Sequence, residues 1–324
     1  MAEWVHEESF GEYRSLLIEN DQIIAARLNW FSYICAGTIA IAKVVQRAKG
    51  SSRALCETRM PRAGFEVEVP DLPKEASEGS EVRLIIHREP MAERGRLKRA
   101  QGRYFGDQPM PGDIAPMSAL IKGDWVHRLP KGLWEDVWTI AAEGELAFAG
   151  GNLIFSVTPA MTLIDIDGSG SPRELALAAV PAIAQALGWL DLGGNIGIDF
   201  PTIESKADRK AVDAAMAQAL DDWPHERTAM NGFGFVQIVA RMEMPSLLHR
   251  FAYSRTEACA RYLLRQASLV EGAGALLLTC NPTVKNAISE DWLIELREST
   301  GKEVRIETDQ ALALDAGNAQ IVPL

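Results

Sequence analysis

The chain has 324 residues, 47% of them apolar, and a formal net charge of −11. That length and composition supply two or three ordinary globular cores. The acidic balance excludes a protein that coats nucleic acid non-specifically, because such binding is driven by neutralising phosphates. Four cysteines, Cys35, Cys56, Cys259 and Cys280, stand far apart without CxxC or Cys-His spacing. Structural zinc is therefore not expected, and a reduced cytoplasm is the expected setting. The longest apolar stretch near the N-terminus, "YICAGTIAIAKVV", is too short to span a bilayer and runs into Gln46, Arg47 and Lys49. The acidic first residues also lack the basic-then-apolar order of a signal peptide.

In chain order, the first hundred residues read as short strands: "YRSLLIEN", "QIIAARLNW", "AGTIAIAKVVQ", "SRALCET", "FEVEVP" and "EVRLIIHRE". Asn-Asp, Gly, Pro and Ser-rich turns separate them, and a small barrel is the natural architecture. Between Arg83 and Arg103 seven Lys or Arg residues stand against Glu89 and Glu93, a basic segment on an acidic protein. A charge run of this kind serves equally as a solvated loop. Residues 105–132 hold four prolines and four glycines with no sustained period and read as a linker.

From about residue 133 the pattern alternates strand and helix. "NLIFSVT" and "MTLIDI" pair around a turn at Pro159. Ser171, Pro172 and Glu174 place a capping serine, a first-turn proline and a glutamate three residues after the cap, so a helix starts there. Its apolar stripe is Leu175, Ala179, Ile183 and Leu187, and it ends at Gly188. After "LDLGG" comes the strand "NIGIDF". Ser205 and Asp208 open a second helix with Val212, Ala215, Met216 and Ala219 inward, and the strand "GFVQIVA" comes next. This β-α-β-α-β order predicts a sheet with helices packed on it over residues 133–250. Residues 251–324 read as a small α+β unit, giving a multidomain chain of mixed α/β and α+β class.

Two central strands end in aspartate: Asp165 with Asp167 in "LIDIDG", and Asp199 in "GIDF". In open sheets ligands sit outside the carboxyl ends of strands. Strands lying side by side would bring these carboxylates together, and gathered carboxylates call for a hard cation, magnesium or manganese. Such an ion polarises a phosphoryl oxygen and lowers the pKa of bound water, the needs of phosphodiester hydrolysis. Aspartates at strand ends also cap helices and close turns. A calcium loop over "DIDGSG" would require a bidentate glutamate at position twelve, where Ala176 stands, and a helix before it. A haloacid-dehalogenase type of phosphatase would require its late acidic pair in a Gly-Asp context, whereas Asp221-Asp222 ends a helix. The five histidines show no ligand pairing, and neither a Gly-x-Ser-x-Gly elbow nor a P-loop lysine occurs.

The run from "GGNLIFSVTPAMTLIDIDG" through "LDLGGNIGIDF" to "GFGFVQIVA" resembles the catalytic core of the ribonuclease E/G family. The resemblance implies that Asp165 and Asp199 are the metal-binding aspartates, and that Asp167, where the family has asparagine, completes or orients the catalytic site. It implies a DNase I-like central domain, an N-terminal OB-like RNA-binding barrel with flanking strands within residues 1–104, and a small C-terminal domain. Arg88, Arg94, Arg96, Lys98 and Arg99 become RNA-contacting candidates, joined by Arg241. Single-stranded RNA is expected across the barrel, with the basic segment holding phosphates and exposed aromatics stacking on bases.

The resemblance also implies an endoribonuclease that uses Mg2+, or Mn2+, and leaves 5′-phosphate and 3′-hydroxyl ends in RNA processing or decay. A homodimer is its expected assembly. Several family features are missing. No 5′-phosphate sensor domain stands between barrel and core, and the zinc-linking Cys-Pro-x-Cys is absent, so no zinc-linked oligomer is expected. Ala240 and Met242 replace two arginines around Arg241, and "DFPTI" places Thr202 where the family has an acid. These departures keep a second reading open, a non-catalytic RNA-binding protein on the same scaffold.

Overall fold

A computed structural model describes residues 1–31, 34–58, 64–106 and 122–324. Strands β1 (Glu3–Ser9), β2 (Glu12–Glu19) and β3 (Gln22–Trp30) form an antiparallel meander. Two-residue turns join them, Phe10-Gly11 and Asn20-Asp21, and all four turn residues have positive φ. That backbone matches the right-handed twist of the strands it joins.

The barrel begins only after this meander. Strands β4 (Ile39–Arg47), β5 (Ala54–Thr58), β6 (Glu66–Val69), β7 (Glu81–Arg88) and β10 (Ala100–Tyr104) close in the order β10-β6-β5-β4-β7. Only β6 and β10 pair in parallel. Alternation buries Ala40, Ala42, Val44, Val67, Val69 and Leu84 inside. The basic segment supplies a two-stranded hairpin, β8 (Met91–Glu93) and β9 (Arg96–Lys98), between the last two barrel strands.

Residues 107–121, most of the expected linker, lie outside the described residues. The segment from Lys122 onward is fastened to the body. Strand β11 (Asp124–Trp125) adds in parallel to β1, and the Leu129 N–H donates to Glu7 at 2.7 Å. Helix α1 (Leu133–Glu143), not foreseen from the sequence, buries Trp134, Val137 and Ala141.

The central sheet has six strands: β12 (Glu145–Phe148), β13 (Gly151–Val157), β14 (Thr162–Gly168), β15 (Gly194–Asp199), β16 (His225–Arg227) and β17 (Phe235–Ala240), in the order β12-β13-β14-β15-β17-β16. Helices α2 (Pro172–Trp189) and α3 (Lys206–Ala219) start as predicted, the Ser171 and Ser205 hydroxyls accepting from the Glu174 and Asp208 N–H groups. Helix α2 lies between two sheets. Its Trp189 indole donates to the Ile23 carbonyl at 2.8 Å, and a Cβ on Gly188 would stand 2.5 Å from the Ile24 oxygen. Leu16, Ala26, Leu28 and Trp30 therefore share one core with Ile164, Ile196, Ile198 and the inner face of α2.

The chain ends in helices α4 (Leu247–Tyr253) and α5 (Arg255–Ser268), then β18 (Ala275–Cys280), α6 (Pro282–Ala287), α7 (Glu290–Thr300), β19 (Val304–Thr308) and β20 (Asn318–Val322). The three strands form a sheet in the order β19-β18-β20. Among the described residues no helix is long and apolar enough to cross a membrane.

Candidate metal centre and RNA interface

Period two decides where the aspartates point. Along β14, Ile164 and Ile166 are buried toward α2, while Asp165 and Asp167 are exposed on the opposite face. Along β15, Ile196 and Ile198 are buried and Asp199 is exposed. Strands β14 and β15 are parallel neighbours in a register that sets Asp165 directly beside Asp199. Neighbouring strands are about 4.8 Å apart, so the two carboxylates can reach one cation.

Asp167 stands two residues further along the same face, opposite Asn152 of β13. Ile154 flanks Asp165, and Phe235 flanks Asp199. No described side chain forms an ion pair or hydrogen bond with Asp165, Asp167 or Asp199. Unpaired, adjacent, acceptor-only groups are the donor set a hard divalent cation requires, so these residues fit the ion expected of them. The three do not form a tight cage. Among the described residues no group of three or more His, Cys, Asp or Glu side chains is close enough to enclose a metal. The site is an open pair of carboxylates with a third nearby.

Backbone packing fixes this geometry. A Cβ on Gly168 would stand 2.5 Å from the Gly150 oxygen, and one on Gly151 would overlap the Asp167 carbonyl oxygen. The two glycines let β13 and β14 close at the carboxylate end. A Cβ on Gly197 would stand 2.6 Å from the Phe235 ring, so its absence keeps the surface beside Asp199 low.

Features missed in the sequence gather at the same end. Strands β14 and β15 lead directly into the N-termini of α2 and α3, where free N–H groups favour anions. Arg173 pairs with Asp208 at 3.0 Å between those two turns while staying half exposed, and Lys206 is exposed. Phe233, 83% exposed, sits in the turn before Phe235. Basic residues in the first turns of helices after aspartate strands were the available signal.

The other candidates lie elsewhere. Arg241 comes just after β17, whose Ala240 pairs with Gly194 while its Phe235 pairs with Asp199. Arg241 is thus about 20 Å from the aspartates at the opposite end of the sheet, where it pairs with Glu243 at 2.9 Å. The β8-β9 hairpin docks at that same end. Met91, Glu93 and Lys98 line a cavity of about 150 Å3 with Met161, Asn195 and His249. Burial pushes the His249 imidazole down to about 4, so it is neutral at pH 7.

Within the basic run, charge is largely answered locally. Glu93 receives Arg96 at 2.7 Å and Lys98 at 3.5 Å. Burial raises the Glu93 carboxyl, but the hydrogen bonds and charges of Arg96 and Lys98 hold it below its usual range. Arg99 pairs with Glu66 at 2.6 Å and Glu68 at 3.8 Å. Arg88 donates to the Arg99 carbonyl at 2.9 Å. Arg94, at the hairpin turn, has no described partner. Phe65 and Tyr104 pack against the barrel core, while Phe31, Trp125 and Phe233 are exposed outside it.

The model of the ribonuclease E/G family matches residues 142–242, the stretch that holds the whole six-stranded sheet. Ribonuclease G of Escherichia coli (strain K12) and of Salmonella typhimurium (strain SL1344) are each 27% identical over 190 residues, covering 50% of this chain and 39% of the relative. Ribonuclease E of Haemophilus influenzae is 27% identical over 201 residues, covering 54% of this chain and 22% of the relative. The chain spans well under half the length of these relatives. The paired aspartate strands thus lie inside the segment that is similar to the ribonuclease E/G family, and the match supports membership of that family.

Proposed function

We propose that the chain is an endoribonuclease that hydrolyses single-stranded RNA at the Asp165–Asp199 carboxylate pair, leaving 5′-phosphate and 3′-hydroxyl ends. The single observation that carries this reading is the side-by-side register of Asp165 and Asp199 on a helix-free sheet face, without a described protein cation to neutralise them. Asp165 and Asp199 would hold Mg2+ or Mn2+, with Asp167 and Asn152 beside them. Bound there, the ion supplies Lewis acidity and a more acidic water.

The chain's own groups do the positioning. The N-terminal turns of α2 and α3, with Arg173 and Lys206, attract phosphate at the carboxylate end. Phe233 offers a stacking surface for a base beside the cleaved bond. The hairpin marks the other end of a path about 10 to 20 Å long, roughly two or three nucleotides, on which Arg94, Arg96 and Lys98 meet phosphates. The barrel's strand order, with its parallel β6-β10 closure, supports the OB-like reading. The DNase I-like central domain and an RNA processing or decay role belong to the same proposal.

The test is cleavage of a 5′-labelled AU-rich single-stranded RNA with magnesium, manganese or EDTA. Asp165→Asn and Asp199→Asn should each lower cleavage at least about a hundredfold, because a lost ligand removes several kcal/mol of charge stabilisation. Their melting temperatures should stay near wild type. Undiminished cleavage in both variants would sink the assignment. The open carboxylate arrangement favours one second reading, an RNA-binding protein without efficient cleavage. RNA bound tightly but left intact under every metal condition would identify it.

A further inference from the structure

The sheet β11-β1-β2-β3 packs one face on α2. Its other face, outside the candidate active site, carries a connected set of aromatic rings. Tyr13 meets Phe31 with ring centres 4.3 Å apart and the Trp125 edge at 5.3 Å. Trp125 in turn lies 5.1 Å from the buried His6 ring, and Trp4 stacks on His6 at 6.4 Å. The Arg27 guanidinium sits 5.5 Å over the Trp4 ring. Trp125 is 51% exposed and Phe31 is 38% exposed. Aromatic surface left in water on a folded sheet marks an interaction site.

Chemistry selects the occupant. The patch consists of flat rings with an arginine stacked on one of them, the two kinds of surface on which unpaired bases stack. Around Trp125, Lys122, His127 and Arg128 are exposed with Asp124; Arg128 donates to the Ser268 carbonyl at 2.8 Å, and the exposed Glu8 pairs with Tyr13 across the strands. Lys122, exposed three residues before Trp125, offers a cation to a phosphate backbone. Position fits as well. Arg27 and Arg241 line the same cavity, of about 350 Å3, at the end of the central sheet away from the aspartates. A strand running from Asp199 past Arg241 therefore arrives at Arg27 and Trp4.

We infer that the face bearing Trp4, Tyr13, Phe31 and Trp125, with Arg27, is a second contact for single-stranded RNA, a base-stacking platform remote from the cleavage site. This rests on the ribonuclease reading only in taking RNA as the ligand. The platform lengthens the footprint on the substrate, so it acts on long single strands and leaves short ones indifferent.

The experiment measures binding of fluorescein-labelled oligouridylate of 6 and of 15 nucleotides by anisotropy, in EDTA, with the full chain. Variants are Trp125→Ala, Phe31→Ala and the pair, with Phe233→Ala as an exposed aromatic outside the platform. Each exposed ring can be removed without opening a core. The double variant should bind the 15-mer at least about tenfold more weakly, since stacking contributes roughly 1 to 3 kcal/mol per base. Its 6-mer affinity should match wild type, as should its rate of cutting a saturating short substrate. Phe233→Ala should leave the length dependence intact. Unchanged 15-mer affinity in the double variant overturns the platform, as does a change in sedimentation instead of RNA affinity, which would make this face a contact between protein copies. Loss of magnesium-dependent cleavage with length-dependent binding retained would overturn the ribonuclease reading and leave the platform standing.

Discussion

Among single residues, the site depends on what is absent as much as on what is present. Gly151 and Gly168 stand where any side chain would meet backbone atoms of the neighbouring strand. Gly168→Ala should therefore push β14 away from β13 beside Asp167. We expect a stability loss of about 1 to 3 kcal/mol, typical of overpacking, together with a fall in cleavage of at least about tenfold. Urea unfolding and the labelled-RNA assay would measure the two effects. Wild-type cleavage in a destabilised Gly168→Ala protein would show that Asp167 is not held by this contact. Asp167 was legible from its two-residue spacing to Asp165, which places both on one face. Phe233 was not, because nothing local distinguishes a ring in a turn that packs from one left in water.

Among the elements, the β8-β9 hairpin carries three of the seven basic residues of the run from Arg83 to Arg103, and Glu93 holds two of its cations. Removing that acid should release Arg96 and Lys98 for phosphates. Glu93→Gln is expected to raise RNA affinity and steepen its salt dependence, by about 0.7 in logarithmic slope for each added phosphate contact on a single strand. Anisotropy titrations across a salt series would read both, and a flat response would remove the hairpin from the RNA path. The converse change, Arg94→Ala, should lower the slope by a similar amount. Sequence counting found the basic run but not its pairing, because Glu66 and Glu68 of the neighbouring strand β6 meet Arg99 from about thirty positions away. Helix starts were legible because their signals are local: Ser171 and Ser205 cap within three residues. Helix α1 escaped because its N-terminus is a glycine, with Glu135 reaching back to the Gly132 N–H at 3.0 Å.

Across the whole molecule, buried charge ties the two ends of the chain together. Arg14, fully buried, pairs with Glu7 at 2.7 Å and Glu12 at 2.5 Å. Arg265 of α5 reaches Glu7 at 3.0 Å and also pairs with Glu135 of α1. Arg250 and Glu89 make a further buried pair at 3.4 Å, and Arg250 and Arg261 lie over the Trp30 ring. Burial pushes the Glu7 carboxyl up, but Arg14 and Arg265 outweigh it and hold Glu7 below its ordinary value of 4.5. The folded state therefore favours ionised Glu7. This contribution is complete above pH 4.5 and is lost as pH falls through the lower folded value. Glu7→Gln should cost about 3 to 5 kcal/mol at pH 7, because it strands buried guanidinium groups. It should also flatten the decline in stability below pH 4.5. Denaturant midpoints at pH 7 and in the acid range would test this, and an unaltered acid slope would show that Glu7 does not govern it.

Strands and capped helices around the site, the alternation that turns Asp165, Asp167 and Asp199 outward, and the resemblance to the ribonuclease E/G family were all readable from the chain alone. Each of these is written in residues a few positions apart. Strand pairing was not readable in this way. It took the folded molecule to make Asp165 and Asp199 lateral neighbours, to put Arg241 at the far end of their sheet, to keep the first thirty residues outside the barrel, and to set Trp125 beside Tyr13 and Phe31. Those outcomes depend on which strands pair and in what register. Pairing is selected by burying whole faces against α2 and the barrel interior, a condition that no short window of sequence contains.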